Sequence, residues 1–116
     1  MFRNSLVAFL LLFGCATIDT HTDPPADWPD MTTHWHSVPT FELREACVPY
    51  QDPGTLIEAC TLFYFSKGEC HIWTNSDFPV PDYVIKHEYE HCKGRDHIGS
   101  TYLRDLWEKF KRDTQS

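Results

Sequence analysis

The sequence predicts an α+β domain with a small antiparallel sheet, an internal helix and a C-terminal helix, stapled by disulfides. Two runs of aromatic and β-branched residues flank Ser-Lys-Gly-Glu within residues 60–74, a pattern typical of a β-hairpin. Near the C-terminus, apolar residues recur at helical spacing. They are Leu103, Leu106, Trp107 and Phe110. The chain also carries 5 cysteines, which indicate covalent cross-links around a small core.

Length, charge and composition exclude several classes of protein. A chain of 116 residues has room for one domain and excludes a large multidomain enzyme. The net charge of −7 leaves no basic patch to neutralise phosphates, so we expect no nucleic-acid partner. Aromatic residues make up 15% of the chain, which is enough for a compact core and excludes global disorder. We expect the domain to be a monomer.

The N-terminus has the form of a secretory signal peptide. Arg3 precedes an uninterrupted apolar run over residues 6–13. This run is too short for a membrane-spanning helix, which needs about 20 residues. A short basic start followed by a short apolar run is typical of a cleaved leader, and we predict one over residues 1–14.

The apolar run ends in Leu12-Phe13-Gly14-Cys15, which resembles the lipobox of bacterial lipoproteins. The resemblance implies that Cys15 becomes the acylated first residue of the mature chain and anchors it to a membrane. Ala16, in place of Asp, implies sorting to the outer membrane, with the domain facing the periplasm or the surface. The alternative is an ordinary secreted protein that is cleaved nearby.

Lipidation of Cys15 would leave an even number of cysteines in the domain. The remaining ones are Cys47, Cys60, Cys70 and Cys92. In a small exported domain they indicate two disulfides, with three possible pairings between which the sequence does not choose. A cysteine-ligated zinc site is the alternative, but the chain has no C-x-x-C pair.

Local composition predicts the order of the elements. Residues 15–33, rich in Thr, Asp and Pro, are predicted to be an extended tether that carries a domain over residues 34–116. Near-alternate apolar residues over 34–44 predict one or two short strands, and Asp-Pro-Gly marks a turn within 45–57. Cys70–Thr74, the second arm of the hairpin, alternates as an edge strand with one buried face does.

Two helices complete the predicted domain. Asp82 stands where an N-cap belongs, and Tyr83–Cys92 contains no helix breaker. Gly94 is placed to end this helix in a left-handed turn. Thr101–Arg112 is predicted to be an amphipathic helix that closes the core, with a basic end favoured by the helix dipole.

The first of these helices carries a group of residues suited to metal binding. His87 and His91 are four residues apart, so a helix presents both imidazoles on one face to a single ion. Glu88 is close enough to reach a water on that ion. Gly94 allows the sharp turn that can bring His97 back to the same ion as a third ligand.

This string matches the H-E-x-x-H-x-x-G-x-x-H motif of the metzincin metallopeptidases at all five specified positions. The resemblance implies a Zn²⁺ held by His87, His91 and His97, with Glu88 as the general base that activates water against a peptide bond. It implies a peptide or protein substrate paired with an edge strand, a role that Cys70–Thr74 would fill. The family's Met-turn has no counterpart after His97, and Trp107 or Phe110 is the suggested replacement below the zinc.

Other residues have weaker signals, each with an alternative. Tyr102 and His71 are candidates for oxyanion or substrate contact, although Tyr102 can be an exposed residue at a helix start and His71 a surface histidine. Glu90 or Asp96 can orient the ligand histidines, or lie on a solvated face. No specific role follows for His21.

His34 and His36 point to one face of a strand. They are a conceivable second metal site or a pair of surface histidines.

The leading functional prediction is an exported, lipid-anchored zinc metallopeptidase. A second is a non-catalytic, zinc-stapled lipoprotein that acts as an interaction module, which a closed fourth ligand position would favour. A third is a disulfide-stapled surface module without metal. Glu88 favours catalysis, because a purely structural site does not need it. Peptidoglycan amides are an alternative substrate.

Overall fold

The fold is a three-stranded sheet with helices on both faces, as seen in a computed structural model that describes residues 21–47 and 58–115. The strands are β1 (Thr32–Val38), β2 (Ala59–Tyr64) and β3 (Glu69–Asn75). The helices are α1 (Thr40–Cys47), α2 (Asp82–Cys92) and α3 (Tyr102–Thr114). The predicted α+β class is therefore confirmed.

The sheet has the order β1-β3-β2 and is mixed. β2 and β3 form the predicted antiparallel hairpin, joined by a 3₁₀ turn over Phe65–Lys67 and by Gly68 at φ 67°. β1 pairs in parallel with the other side of β3, from Thr32 opposite Glu69 to Val38 opposite Asn75. An entirely antiparallel sheet was therefore a wrong prediction.

Cys70–Thr74 was expected at an edge of the sheet, and this expectation is also wrong. It lies within β3, which is the central strand, and β1 and β2 are the outer strands of the described sheet. A parallel partner is brought in by a long crossover. The local alternation of residues in the hairpin therefore did not indicate that a third strand pairs with Cys70–Thr74.

The sheet separates two small cores, each containing one disulfide. On the α1 face, Leu43 and the Cys47–Cys60 bridge pack against Trp73. On the α2 face, Ile72 packs beside the Cys70–Cys92 bridge. The two predicted disulfides are thus present, in one of the three possible pairings.

Helix α1 was not predicted, because a distant residue holds its start. The backbone N–H of Thr40 donates to Asp77 Oδ2 at 2.9 Å, across 37 positions of sequence. A side-chain acceptor for an otherwise unpaired N–H is what stabilises the first turn of a helix. The turn predicted within 45–57 lies mostly outside the described residues.

Helices α2 and α3 follow the prediction closely. α2 begins at Asp82 after Pro81, so Asp82 is its first helical residue rather than its N-cap. Its carboxylate still lies where the helix dipole favours negative charge. Gly94 has φ 86°, the left-handed conformation expected after the helix. α3 extends two residues beyond the predicted end at Arg112.

Residues 21–31, expected as part of the tether, pack against the domain. The indole of Trp28 covers Gly94, and its Nε1 donates to the carbonyl of Cys92 at 2.9 Å. Trp28 also makes edge contacts with Phe63 and Trp107. The predicted leader and Cys15 lie outside the described residues. Within the described ranges, no helix is long and apolar enough to span a membrane.

Candidate metal centre

Three imidazole nitrogens converge at the end of α2. The Nε2 atoms of His87 and His91, one helical turn apart, are separated by 3.0 Å. Beyond the turn at Gly94, His97 Nε2 lies 2.9 Å from His87 Nε2. Ligands bonded at about 2.0–2.1 Å to one tetrahedral zinc are roughly 3.3 Å apart. The Nε2 atoms of His91 and His97 therefore both lie near ligand spacing from His87 Nε2, and the sequence motif located all three residues.

The other nitrogens of two of these rings are held from outside the cluster. His91 Nδ1 lies 2.8 Å from the carbonyl oxygen of Arg95, to which it donates. His87 Nδ1 lies 3.0 Å from His21 Nε2. A proton on each Nδ1 leaves the Nε2 lone pair free, and such partners orient histidine ligands in metal sites.

Asp96 holds the loop that carries His97. It is only 5% exposed. Its Oδ1 accepts the backbone N–H of His97 at 2.7 Å, and its Oδ2 accepts the N–H of Leu103 at 2.9 Å. Burial alone would raise the pKa of Asp96, but these hydrogen bonds and one from Ser100 hold it below its ordinary value.

The suggested orienting roles of Glu90 and Asp96 take a different form. Glu90 pairs with Arg95, whose Nε lies 2.7 Å from its Oε1, and with Lys93. Asp96 acts through the backbone of His97 rather than through its ring. Glu90 therefore supports the turn after α2, and Asp96 positions its third histidine.

Glu88 shares a cavity of about 370 Å³ with the three histidines. Thr61 of β2 donates to its Oε1 at 2.7 Å and to its backbone carbonyl at 3.2 Å. Burial raises the pKa of Glu88, with the Thr61 hydrogen bond opposing the rise. Burial also lowers the pKa of His87 and His91, which favours the neutral imidazoles that metal binding requires.

Tyr102 and His71 have different positions relative to this cavity. Tyr102, at the start of α3, is half exposed and lines the cavity wall. His71 lies on the α1 face of the sheet, where its ring contacts His36 and Tyr64. This is the opposite face from α2, so the structure separates His71 from the three-histidine cluster, contrary to expectation.

Trp107 and Phe110 of α3, the suggested replacements for a Met-turn, do not line the cavity with the histidines. The ring of Trp107 contacts Trp28, Phe65 and Phe110. Trp28 in turn covers Gly94. Trp107 therefore supports the turn through Trp28, a residue that the sequence did not mark.

His21 and Thr61 were also missed. His21 forms a β-bridge with His97 besides its contact with His87, and the neighbouring Thr22 donates its N–H to the Asp96 carbonyl at 2.8 Å. Both missed residues are far from the motif in sequence. The only available signal was the abundance of histidine in the chain, 7 in all.

Comparisons with known proteins add no family to this description. No protein-family model matches the chain. No curated protein and no solved structure matches it either.

Proposed function

We propose that this protein is a small exported zinc metallopeptidase in which His87, His91 and His97 bind the metal. The observation that carries the proposal is that the Nε2 atoms of His91 and His97 each lie within about 3 Å of His87 Nε2, beside a carboxylate in the same cavity. Three neutral imidazoles are the donor set of catalytic zinc sites that keep an open position.

Glu88 is the general base of the proposed reaction. When bound, zinc supplies Lewis acidity, which polarises a carbonyl group and makes a water molecule more acidic. The Glu88 carboxylate takes the proton of the attacking water and delivers it to the leaving amine. Burial raises the pKa of Glu88, which suits a group that must both accept and release a proton. Thr61 fixes the carboxylate through Oε1.

The substrate in this proposal is an extended peptide that lies along β2. Thr61 and Phe63 of β2 line the cavity with Glu88. In the described part of the chain β2 pairs only with β3, so its other edge offers backbone groups to an added strand. The pairing with substrate that was expected of Cys70–Thr74 is therefore assigned to β2. Tyr102, which also lines the cavity, contacts the substrate or its oxyanion.

Export is part of the same proposal. The two disulfides are typical of oxidising compartments, and they accompany a leader-like N-terminus. Processing before Cys15 would place the domain on the bacterial cell envelope, anchored to the outer membrane by acyl chains.

Removal of metal tests the proposal directly. We expect the purified protein with intact disulfides to contain zinc and to hydrolyse an unstructured protein. Dialysis against a chelator should abolish hydrolysis, because the metal supplies the Lewis acidity on which the reaction depends. Stoichiometric zinc should restore it. Metal content by mass spectrometry and peptide release are measured on the same samples.

Three outcomes separate the alternatives. A zinc-containing protein that hydrolyses a peptidoglycan fragment but not protein would indicate a different substrate for the same chemistry. Zinc without either activity would support a structural centre. A metal-free protein that gains no zinc on titration would contradict the proposal.

A non-catalytic zinc centre is the second candidate, and the observation in its favour is the presence of His21 at the site. Donor atoms of His21, His87 and His91 all lie within 4.8 Å of one another, so a fourth imidazole is present at the site. As a ligand, His21 would close the position that catalysis needs. Its Nε2, however, approaches Nδ1 of His87, the nitrogen that faces away from the convergence point. This contact favours an orienting role.

Replacing His21 distinguishes these two roles. If His21 orients His87, His21→Ala should weaken zinc binding by about 10–100-fold while zinc-saturated protein stays active. His21→Gln, whose amide can accept the same proton, should recover much of the affinity. Competition with a chromophoric chelator gives the affinity. Hydrolysis that rises above the parent rate in His21→Ala would instead show that His21 blocks the open position.

A further inference from the structure

A second group of histidines lies on the α1 face of the sheet, opposite the three-histidine cluster. Side chains alternate between the faces of a strand, so β1 and β3 place His34, His36, Glu69 and His71 on one face. Helix α1 packs on the same face, against Trp73 and Leu62. The three histidines of the chain that are remote from α2 therefore all meet here.

The parallel register brings three donor groups together. His34 lies directly opposite His71, and their rings stack with centroids 4.6 Å apart. Glu69 is two residues before His71 on the same face. Its Oε1 lies 2.9 Å from His71 Nε2, and its Oε2 lies 3.8 Å from His34 Nε2. Donor atoms of the three residues all lie within 4.8 Å of one another.

His36 holds the ring of His71 in the orientation that a ligand requires. His36 Nε2 lies 2.7 Å from His71 Nδ1. With the proton on Nδ1 of His71, its Nε2 lone pair faces Glu69 and His34. Metal-binding histidines are ordinarily held through their second nitrogen in this way. His36 is itself stacked on Trp73, with ring centroids 3.9 Å apart.

We propose that His34, Glu69 and His71 form a second site for a divalent transition-metal ion, with Zn²⁺ as its probe and His36 as a positioning residue. Two imidazoles and a carboxylate are a donor set that suits zinc and its neighbours in the first row. The side chains of His34 and Glu69 are 39% and 30% exposed, so an ion can enter from solvent. Three protein ligands leave positions for water or a further ligand, which indicates an exchangeable site rather than a closed structural one.

The competing explanation for this arrangement is a ladder of stacked and hydrogen-bonded side chains that binds no metal. It accounts for the pair of Glu69 and His71, since a single hydrogen bond is enough to join them. The second carboxylate oxygen lies 3.8 Å from His34 Nε2, which is beyond hydrogen-bond distance but within reach of an ion pair. A ladder without metal predicts no change at Nε2 of His34 and His71 when zinc is added, whereas a shared ion predicts a change at both.

Zinc titration of the ¹⁵N-labelled protein, with its disulfides intact, tests the site by observing the ring nitrogens of each histidine. We expect Nε2 of His34 and His71 to shift on binding. Because Glu69 and His34 are proposed ligands, Glu69→Gln and His34→Phe should each weaken zinc binding at this site by at least about 10-fold. This is the smaller loss typical of removing a residue that only orients a ligand. His36→Phe keeps a ring on Trp73 but removes the nitrogen that accepts the Nδ1 proton of His71. We expect zinc binding about 10–100-fold weaker in this variant. Glu42→Gln removes an exposed charge on α1 and should change nothing.

The readout distinguishes this site from the centre on α2, because each ring is observed separately. Shifts at His34 and His71 support the second site whatever His87, His91 and His97 do. Unmoved signals of His34 and His71 in excess zinc would overturn it. Equal shifts in the parent and in Glu69→Gln would also overturn it, since the carboxylate would then not be a ligand.

Discussion

Glu88→Gln is expected to lower kcat for peptide hydrolysis by about 10²–10⁴-fold while zinc stays bound. This is the usual contribution of a positioned general base. Glutamine has nearly the same shape, and its amide oxygen can still accept the hydrogen bond from Thr61, so the cavity should be preserved. Steady-state kinetics and zinc content, measured on the same preparation, separate loss of chemistry from loss of metal.

The matched control is Asp82→Asn, which removes the same charge from an exposed position in the first turn of α2. It should retain both zinc and most of the parent activity. A Glu88→Gln variant as active as this control would refute the role of Glu88. A variant without zinc would indicate that the carboxylate supports the metal site instead.

Gly94→Ala is expected to destabilise the fold by about 2–5 kcal/mol. A residue with a side chain at φ 86° costs about 1–2 kcal/mol. The added Cβ would also lie 2.5 Å from Trp28 Cδ2, and overpacking of this kind costs about 1–3 kcal/mol. Because the same turn leads to His97, zinc affinity should fall as well. Denaturant unfolding with the disulfides intact measures the loss of stability.

Gly99→Ala is the control for backbone conformation alone. Gly99 has φ 88°, but a Cβ there would meet nothing within 4 Å. It should therefore cost only about 1–2 kcal/mol. Equal losses in the two variants would show that Trp28 does not restrict the turn. In a Trp28→Ala background, the cost of Gly94→Ala should fall to that of Gly99→Ala.

Local patterns in the sequence predicted much of the fold. The hairpin, α2, α3 and the positive φ of Gly94 depend on residues close together in the chain, so composition and spacing identified them. Three features were not predicted: the parallel pairing of β1, helix α1 and the packing of Trp28. Each depends on a partner more than 30 residues away. Such contacts leave no periodic signal in a single sequence.

The candidate sites show the same division. Sequence spacing located His87, Glu88, His91 and His97, and the structure places them around one cavity. It also indicated that His34 and His36 share a strand face. The separation of His71 from the α2 cluster could not be foreseen, because the face occupied by each residue depends on which helix covers which side of the sheet.

The sequence by itself determined the three-histidine motif, its adjacent carboxylate and the glycine that turns the chain between them. It could do so because helix geometry and the freedom of glycine bring nearby residues together without help from the rest of the fold. Only the tertiary structure decided the partners of that motif, such as His21 and Thr61, and the joining of His34 to Glu69 and His71. Those contacts depend on strand register and layer packing, which bring together residues that the chain keeps far apart.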